Sequence, residues 1–477
     1  MGTISSAFNL ISWALDAEQS ALSIVSNNVA NANTPGYTRE TPNWRENDPV
    51  SINGVQYGTG VTQTGATSVR DRVLNERLNQ QQQLASASST RLAALNSIQA
   101  LFTPNSGSTS SGAGDIGKDI TSFFNSFSAL EANPTNNALR QQVLSSATTL
   151  AGDISNAANT VNSQRAALDQ EAAGVVAQVN ALTASIAQLN GQIQSTSPDG
   201  DAGILEDQRQ QDLSKLSQLI GVNQITTENN GLSITTTSGQ TLVSENSNYT
   251  MTTGLVNGVT HFFVGTADIT SDLAAGGGSL GGYLTARDQD IPQVQNSLDQ
   301  LAYGIATTVN TQNNAGTNLN GVGGTGVNPA NPSLDIFNAP AAVAGSASAM
   351  SVVMTDPNNI AAAGPAAGSG DDSNAVAMAA LADSGIVNGA SPSNFFSDFV
   401  TTLGATVAQV QTENTAQNAS VTQLQNQNNA LSAVNLNDEA VAMQQLERSY
   451  QAASQVFSIL NTIMASALNM GVETAVS

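Results

Sequence analysis

The sequence contains no cysteine, a single histidine and few aromatic residues, and these absences exclude several kinds of site. Of its 477 residues, 4% are aromatic and 10% are charged. Without cysteine the chain cannot form a disulfide, a thiolate nucleophile, an iron–sulfur cluster or a cysteine-ligated zinc site. One histidine, His261, cannot form a multi-histidine metal site. We therefore predict no cofactor and no metal.

Positive charge is also scarce. The chain has 13 lysine and arginine residues against 36 aspartate and glutamate residues, which gives a formal net charge of −23. A chain this acidic repels phosphate backbones, so we predict no nucleic-acid partner. The absence of any run of about 20 apolar residues predicts no membrane-spanning segment. No lysine or arginine precedes Arg39, so the N-terminus lacks the basic part of a cleaved secretory signal.

No group of residues in the sequence indicates catalysis. A Ser-His-Asp triad would need His261 as its base, but this residue stands in a strand-like run beside two phenylalanines, where a solvent-facing histidine is expected. Asp371 and Asp372 are adjacent, so their side chains point apart rather than towards one cation. A carboxylate pair for glycoside cleavage stays open as an alternative, because acidic residues are plentiful. We predict that the protein is not an enzyme.

The first 30 residues have the apolar spacing of a helix that packs along one stripe. Apolar residues recur at alternating intervals of four and three, with Glu18 as the one break: Ile4, Phe8, Ile11, Leu15, Leu22, Val25 and Val29. This is the spacing of a heptad seam. A helix of about 30 residues would be about 45 Å long.

The C-terminal end repeats this pattern. The seam there consists of Met443, Leu446, Tyr450, Phe457, Leu460 and Met464, with Ala453 and Ala467 in the same row. Asn437 is the predicted N-cap, and Asp438 and Glu439 follow in the first turn, where the helix dipole favours acidic residues. We expect Gly471 to end the helix.

The two seams predict an interface between the chain ends. One interpretation makes them two core helices of one domain. The favoured interpretation is that the helices pair with each other and with neighbouring copies of the chain in an assembly. Either way the domain they form is discontinuous in sequence.

A turn motif follows the first helix. Residues 30–39 read Ala-Asn-Ala-Asn-Thr-Pro-Gly-Tyr-Thr-Arg, and the motif is Asn33, Thr34, Pro35, Gly36 and Tyr37. Pro35 disfavours a helical conformation at Thr34. Pro35 and Gly36 suit the centre of a type II turn, in which glycine supplies a positive φ.

The middle of the chain continues with helical seams and then changes its period. Helical spacing recurs at 74–102, 143–161, 168–193 and 205–219, and again at 287–313 and 395–434. After Gly221 the alternation of Leu232, Ile234 and Thr236 with polar residues predicts strands. We predict a mainly α protein with a small β part: a long helical bundle or coiled coil built from both chain termini, with inserted β modules. The predicted domains are a terminal coiled coil (1–40 and 431–477), a helical rod (41–221, 276–320 and 376–430), a β module (222–275) and a Gly/Ala-rich region (321–375).

Several stretches resemble a known family. The segment SNNVANANTPGYTR resembles the N-terminal motif of the axial proteins of the bacterial flagellum, which comprise rod, hook and hook-associated proteins. The segment VNLNDEAVAMQQLERSYQAASQVFSILNTIMASALNM is similar to their C-terminal motif. Residues 205–222 and 277–321 are similar to the hook-associated proteins of the hook–filament junction.

The resemblance implies a structural component of the flagellum that assembles on the hook tip and permits filament assembly and motility. The terminal helices would line the inner tube. The implied partners are further copies in a ring or helical assembly, the hook protein, a second junction protein (hook-associated protein 3) and an export chaperone at the C-terminal helix. The protein would be extracellular after type III export without a cleaved signal. Because the chain is short for this family, residues 321–375 would be a reduced outer β or loop region.

Besides the open carboxylate pair, two alternatives for the function remain from the sequence. One is another axial protein of the hook or rod. The other is a secreted helical adhesin, against which the low aromatic content argues.

Overall fold

The computed structural model describes residues 2–52, 54–103, 115–196, 201–227, 230–323 and 333–473, without the side chains of residues 2–5, 52 and 467–473. Helices hold 65% of the residues and strands 13%. This confirms the predicted fold class, a mainly α protein with a small β part.

Twelve α-helices are found within the described ranges. They are α1 (Gly2–Asn31), α2 (Arg72–Leu101), α3 (Ile116–Glu131), α4 (Asn137–Thr196), α5 (Ile204–Leu219), α6 (Thr270–Gly276), α7 (Gly278–Thr285), α8 (Ile291–Ala315), α9 (Ser346–Ala349), α10 (Ser373–Ala380), α11 (Pro392–Ser432) and α12 (Leu436–Glu473). A five-residue π-helical turn, Ala286–Asp290, joins α7 to α8.

The strands form four antiparallel sheets. They are β1 (Glu40–Glu46), β2 (Val50–Ile52), β3 (Val55–Tyr57), β4 (Val61–Ser68), β5 (Val222–Thr226), β6 (Leu232–Thr236), β7 (Thr241–Ser244), β8 (Ser247–Asn248), β9 (Met251–Val256), β10 (Val259–Val264) and β11 (Ala267–Asp268). The sheet orders are β1-β4, β2-β3, β5-β6-β7-β8 and β11-β10-β9. Strands β5 to β11 fall within the segment where the sequence predicts a β module.

The first two sheets correct a prediction. Residues 41–221 are predicted as helical, whereas β1 to β4 occupy residues 40–68. Strand β1 pairs with β4 from Glu40↔Ser68 to Glu46↔Val61. Both strands are mostly exposed or half-buried. Without a buried face, a strand has no need of the apolar alternation by which sequence analysis finds strands.

Helix α4 is shared by two hydrophobic cores. Its N-terminal half buries Val143 and Ile154 in a first core with α2, α3, α8, α10 and α11. Its C-terminal half buries Val179 and Ile186 in a second core with α5, α7 and the sheets of β5 to β10. The seams at 143–161 and 168–193 therefore belong to one helix of 60 residues.

The composition of α4 also resembles that of a membrane span. One 18-residue window of the helix has a mean hydropathy of 1.3. By length and composition alone, the helix is long and apolar enough to cross a membrane. The same measure is met by core helices of soluble proteins. The buried residues of α4 include Arg140 and Asp153 besides its apolar seam, so the helix has the pattern of a core element.

Part of the Gly/Ala-rich region (321–375) packs into the helical part of the chain. Among its described residues, Leu334, Phe337 and Met350 lie in the first core. Asn310 of α8 donates to the Phe337 carbonyl at 2.8 Å. Asn313 donates to the Leu334 carbonyl at 2.6 Å. These amides satisfy the backbone of an irregular segment, which allows it to be buried without a sheet.

Candidate assembly site

The two chain ends meet in an antiparallel helix pair. Near one end of the pair, the rings of Phe8 in α1 and Phe457 in α12 lie with centroids 4.6 Å apart. Near the other end, Asn28 donates from Nδ2 to Glu439 Oε2 at 3.1 Å. The early part of α1 thus faces the late part of α12, so helices separated by most of the sequence form one unit.

The predicted seams are only partly covered in the single chain. Val25 is buried, whereas most seam residues are half-buried: Phe8, Ile11, Leu15, Leu22, Met443, Leu446, Phe457, Leu460 and Met464. Val29 and Tyr450 are exposed. The side chain of Ile4 lies outside the described residues.

Sequence reasoning missed two members of the most buried row of α1. Ala17 and Ala21 are more buried than any described seam residue of this helix. Helix α1 contacts α12 as well as β1 and β4, so its most buried row is displaced from the α12 seam. Together with Val25, these alanines follow a helical spacing of four. Small residues in that spacing were a usable signal for close packing.

Glu18, which breaks the predicted seam, is packed among its neighbours. Its Oε2 atom is buried without a hydrogen-bond partner among the described residues. Burial raises the pKa of this carboxyl group above its usual value, because desolvation disfavours the charged form.

The Pro-Gly segment forms a sharp turn that is held from outside. The Tyr37 amide donates to the Thr34 carbonyl at 3.2 Å, and Gly36 has a φ of 78°. Gln211 of α5 donates from Nε2 to the Pro35 carbonyl at 2.9 Å. A Cβ on Gly36 would lie 2.6 Å from that Nε2 atom, so both backbone conformation and space favour glycine. Asn33 is exposed.

A buried polar cluster joins the turn to the start of α12. The Tyr37 hydroxyl donates to Asn28 Oδ1 at 2.8 Å, and Arg39 Nε donates to Glu439 Oε1 at 2.7 Å. Glu439 is 1% exposed. Burial, followed by the negative charge of nearby carboxylates that include Glu439, raises the pKa of Tyr37 to about 12. Asn28 and Glu439 therefore fix α1, the turn and α12 to one another.

A second cluster joins the turn to the helical body. Thr38 donates to Asp207 of α5 from its amide at 2.9 Å and from its hydroxyl at 2.6 Å. Arg70, just before α2, forms an ion pair with Asp207 at 2.6 Å and another with Glu206. All four side chains are largely buried or half-buried. The turn is thus held both by the terminal helices and by α5.

The candidate catalytic histidine, His261, forms a surface contact, and metal ligands do not cluster among the described residues. Among them no group of three or more His, Asp and Glu residues is placed to hold a metal ion. His261 Nδ1 lies 2.6 Å from Asp268 Oδ2 on the surface of the β9–β11 sheet. Hydrogen bonds from Thr270 are the main reason that the pKa of Asp268 falls to about 2.

The sequence and the structure are similar to those of known flagellar proteins. Residues 106–328 match the family described as "Flagellar hook-associated protein FlgK helical domain". Residues 12–38 match the family "Flagella basal body rod protein".

Similar whole proteins carry one name. Flagellar hook-associated protein 1 of Escherichia coli is 26% identical, over 98% of this chain and all of that protein. The protein of that name from Salmonella typhimurium is 30% identical, over 67% of this chain and 58% of its own length. The Bacillus subtilis protein is 26% identical, over 96% of this chain and 97% of that protein. The solved structure of the flagellar hook junction protein FlgK from Burkholderia pseudomallei has a TM-score of 0.62 at 19% identity, over 74% of this chain and 99% of that chain, and so shares the fold.

Proposed function

Because the chain belongs to the family of flagellar hook-associated protein 1, a structural family of the bacterial flagellum, we propose that its paired terminal helices are the surface through which it assembles on the hook. The observation that carries this proposal is the incomplete burial of α1 and α12. Their seams are mostly half-buried in the single chain, and copies packed side by side would cover them.

The proposed assembly is a ring or helical array of copies between hook and filament. The hook protein would lie on one side and a second junction protein, hook-associated protein 3, on the other. The anchored turn at Pro35 and Gly36 supports this arrangement, because it ties the terminal pair to a helical body that would face outward. The protein would reach this extracellular position through the flagellar type III channel, with a chaperone covering the apolar stripe of α12 until assembly.

The proposal is tested by placing charge in the seam. Leu460→Asp should prevent incorporation, because burying a leucine contributes about 1.5–3 kcal/mol and an unpaired buried carboxylate opposes packing further. Deletion of residues 1–30 or 440–477 should have the same effect. Cells carrying these variants should show hooks without filaments in electron micrographs.

The matched control is Asn461→Asp, which adds the same charge at the next residue, on an exposed position of α12. It should leave filaments normal. Immunoblots of the medium separate failed export from failed incorporation. Normal filaments on cells that carry Leu460→Asp or either deletion would refute the assembly role of the terminal helices.

A further inference from the structure

The β2–β3 hairpin has an apolar face that the described part of the chain leaves about half exposed. Val50 pairs with Tyr57, and Ser51 pairs with Gln56. Directly opposed residues of an antiparallel pair lie on the same face, and the face alternates along each strand. Val50, Val55 and Tyr57 therefore share one face, and they are 51%, 54% and 53% exposed.

A hairpin of this kind is incomplete on its own. Two strands without a packed face are at best marginally stable in water. Within the described ranges, β2 and β3 pair only with each other. Three large apolar residues on one small face indicate a contact with another surface.

Helix α12 carries a matching surface outside its seam. Val456, Ile459 and Ile463 follow helical spacing of three and four, and they are 43%, 59% and 47% exposed. We call these three residues the outer stripe. Seven residues of helix span about 10 Å, and a three-residue strand spans about 7–10 Å. The hairpin face therefore fits the outer stripe in length.

The charges beside the two surfaces are complementary. At a net charge of −23, two copies repel each other, so an interface between them needs local complementarity. Glu46 and Asp48 precede the hairpin, whereas Arg448 is exposed on α12, two turns before the outer stripe. None of the three forms an ion pair within the part of the chain that the structure describes. Arg45 lies on the other face of β1 from Glu46, since neighbouring strand residues alternate.

We infer that the β2–β3 hairpin of one copy packs on the outer stripe of a second copy, with the carboxylates of Glu46 and Asp48 facing Arg448. The partner is thus another molecule of this chain, because its outer stripe and Arg448 complement the apolar face and the carboxylates of the hairpin. The inference rests on the proposed function, since it specifies which surfaces meet in the assembly. It concerns surfaces other than the α1–α12 seam.

The natural absence of cysteine allows a direct test. Cells would produce two full-length variants together, Val55→Cys in one copy and Ile459→Cys in the other, and their flagella would be isolated and oxidised. We expect a covalent pair of two copies on a non-reducing gel. Ser51→Cys in place of Val55→Cys is the matched control, because it puts the thiol on the opposite face of the same hairpin, and its yield should be about fivefold lower or less.

A charge exchange tests the orientation. Adding Arg448→Glu to the Ile459→Cys copy should lower the yield about threefold or more, and adding Asp48→Arg to the Val55→Cys copy should restore part of it. Isolated flagella that contain both variants but give no more product than the control would overturn the inference and leave the proposed function standing. A link from the hairpin to a different flagellar protein would also overturn it. Absence of the chain from flagella would refute the proposed function and the inference together.

Discussion

At the scale of single residues, two buried carboxyl groups, those of Asp119 and Asp153, can form a hydrogen bond with each other only if they share a proton. Asp119 of α3 and Asp153 of α4 are both buried, and one oxygen of each has no hydrogen-bond donor among the described residues. Burial, then the hydrogen bond and charge of Asp153, raise the pKa of Asp119 to about 7; Asp115 adds to this and Lys118 opposes it. The folded protein therefore holds a proton here that the unfolded chain releases near pH 4.

This pair makes stability dependent on pH. Because the pKa of Asp119 is higher in the folded than in the unfolded state, its contribution is fully present at low pH and is lost as the pH rises through about 7. Asp119→Asn removes the ionisation, so at pH 9 the variant should exceed the parent in free energy of unfolding by about 1–3 kcal/mol. Urea unfolding at pH 6 and pH 9 measures the difference.

The control is Asp383→Asn, which changes an exposed carboxylate and should leave the pH dependence unaltered. Equal loss of stability between pH 6 and pH 9 in Asp119→Asn and in the parent would contradict the shared proton.

Individual residue roles were predictable only where they are local. The sequence predicts Asn437 as the cap of α12, but Asn435 has that role, accepting a hydrogen bond from the Asn437 amide at 3.0 Å. Both are asparagines beside the helix start, so a local rule cannot choose between them. The role of Glu439 depends on Asn28 and Arg39, about 400 residues earlier, and no local pattern could predict it.

At the scale of elements, long helices were predictable and the strands near the N-terminus were not. The heptad spacing identifies α1 and α12, because a helix that buries one stripe has apolar residues at regular intervals in its sequence. The sequences of strands β1 to β4 have no such regular apolar spacing, since these strands lie on the surface. The contact of α1 with β1 and β4 explains why Ala17 and Ala21 are more buried than the predicted large residues of α1.

The link between the turn and α12 can be tested by removing Glu439. Glu439→Ala leaves the Asn28 amide without its acceptor on α12 and Arg39 without its carboxylate. Arg39 is one-third exposed and can be hydrated, so the expected cost is about 1–2 kcal/mol. Amide hydrogen exchange in the first turns of α12 should become about 5–30-fold faster.

Asp438→Ala provides the comparison, because Asp438 is the exposed neighbour in the same turn. Similar exchange rates in the two variants would show that the buried ion pair does not hold the start of α12.

At the scale of the whole molecule, the terminal helices and the two cores are separate in their buried residues. The residues of the first core lie between Leu92 and Val410, and those of the second between Ala172 and Leu284. As far as side chains are described, neither core contains a residue of α1 or α12. Apolar burial in the body is thus complete without the chain ends.

A chain shortened to residues 70–433 should therefore unfold cooperatively in urea at the same midpoint as the body of the full-length protein. Far-ultraviolet circular dichroism would follow the transition. A shortened chain that lacks a cooperative transition, or whose midpoint falls by more than about 1 M, would show that the termini are part of the folded body.

Helix α4 has a mechanical consequence. Its 60 residues give a length of about 90 Å. The first and second hydrophobic cores both pack on this one helix, which is continuous between them. A force applied at one core is therefore transmitted to the other core through the hydrogen-bonded backbone of α4. Because the helix is continuous, no hinge lies along α4 between the two cores.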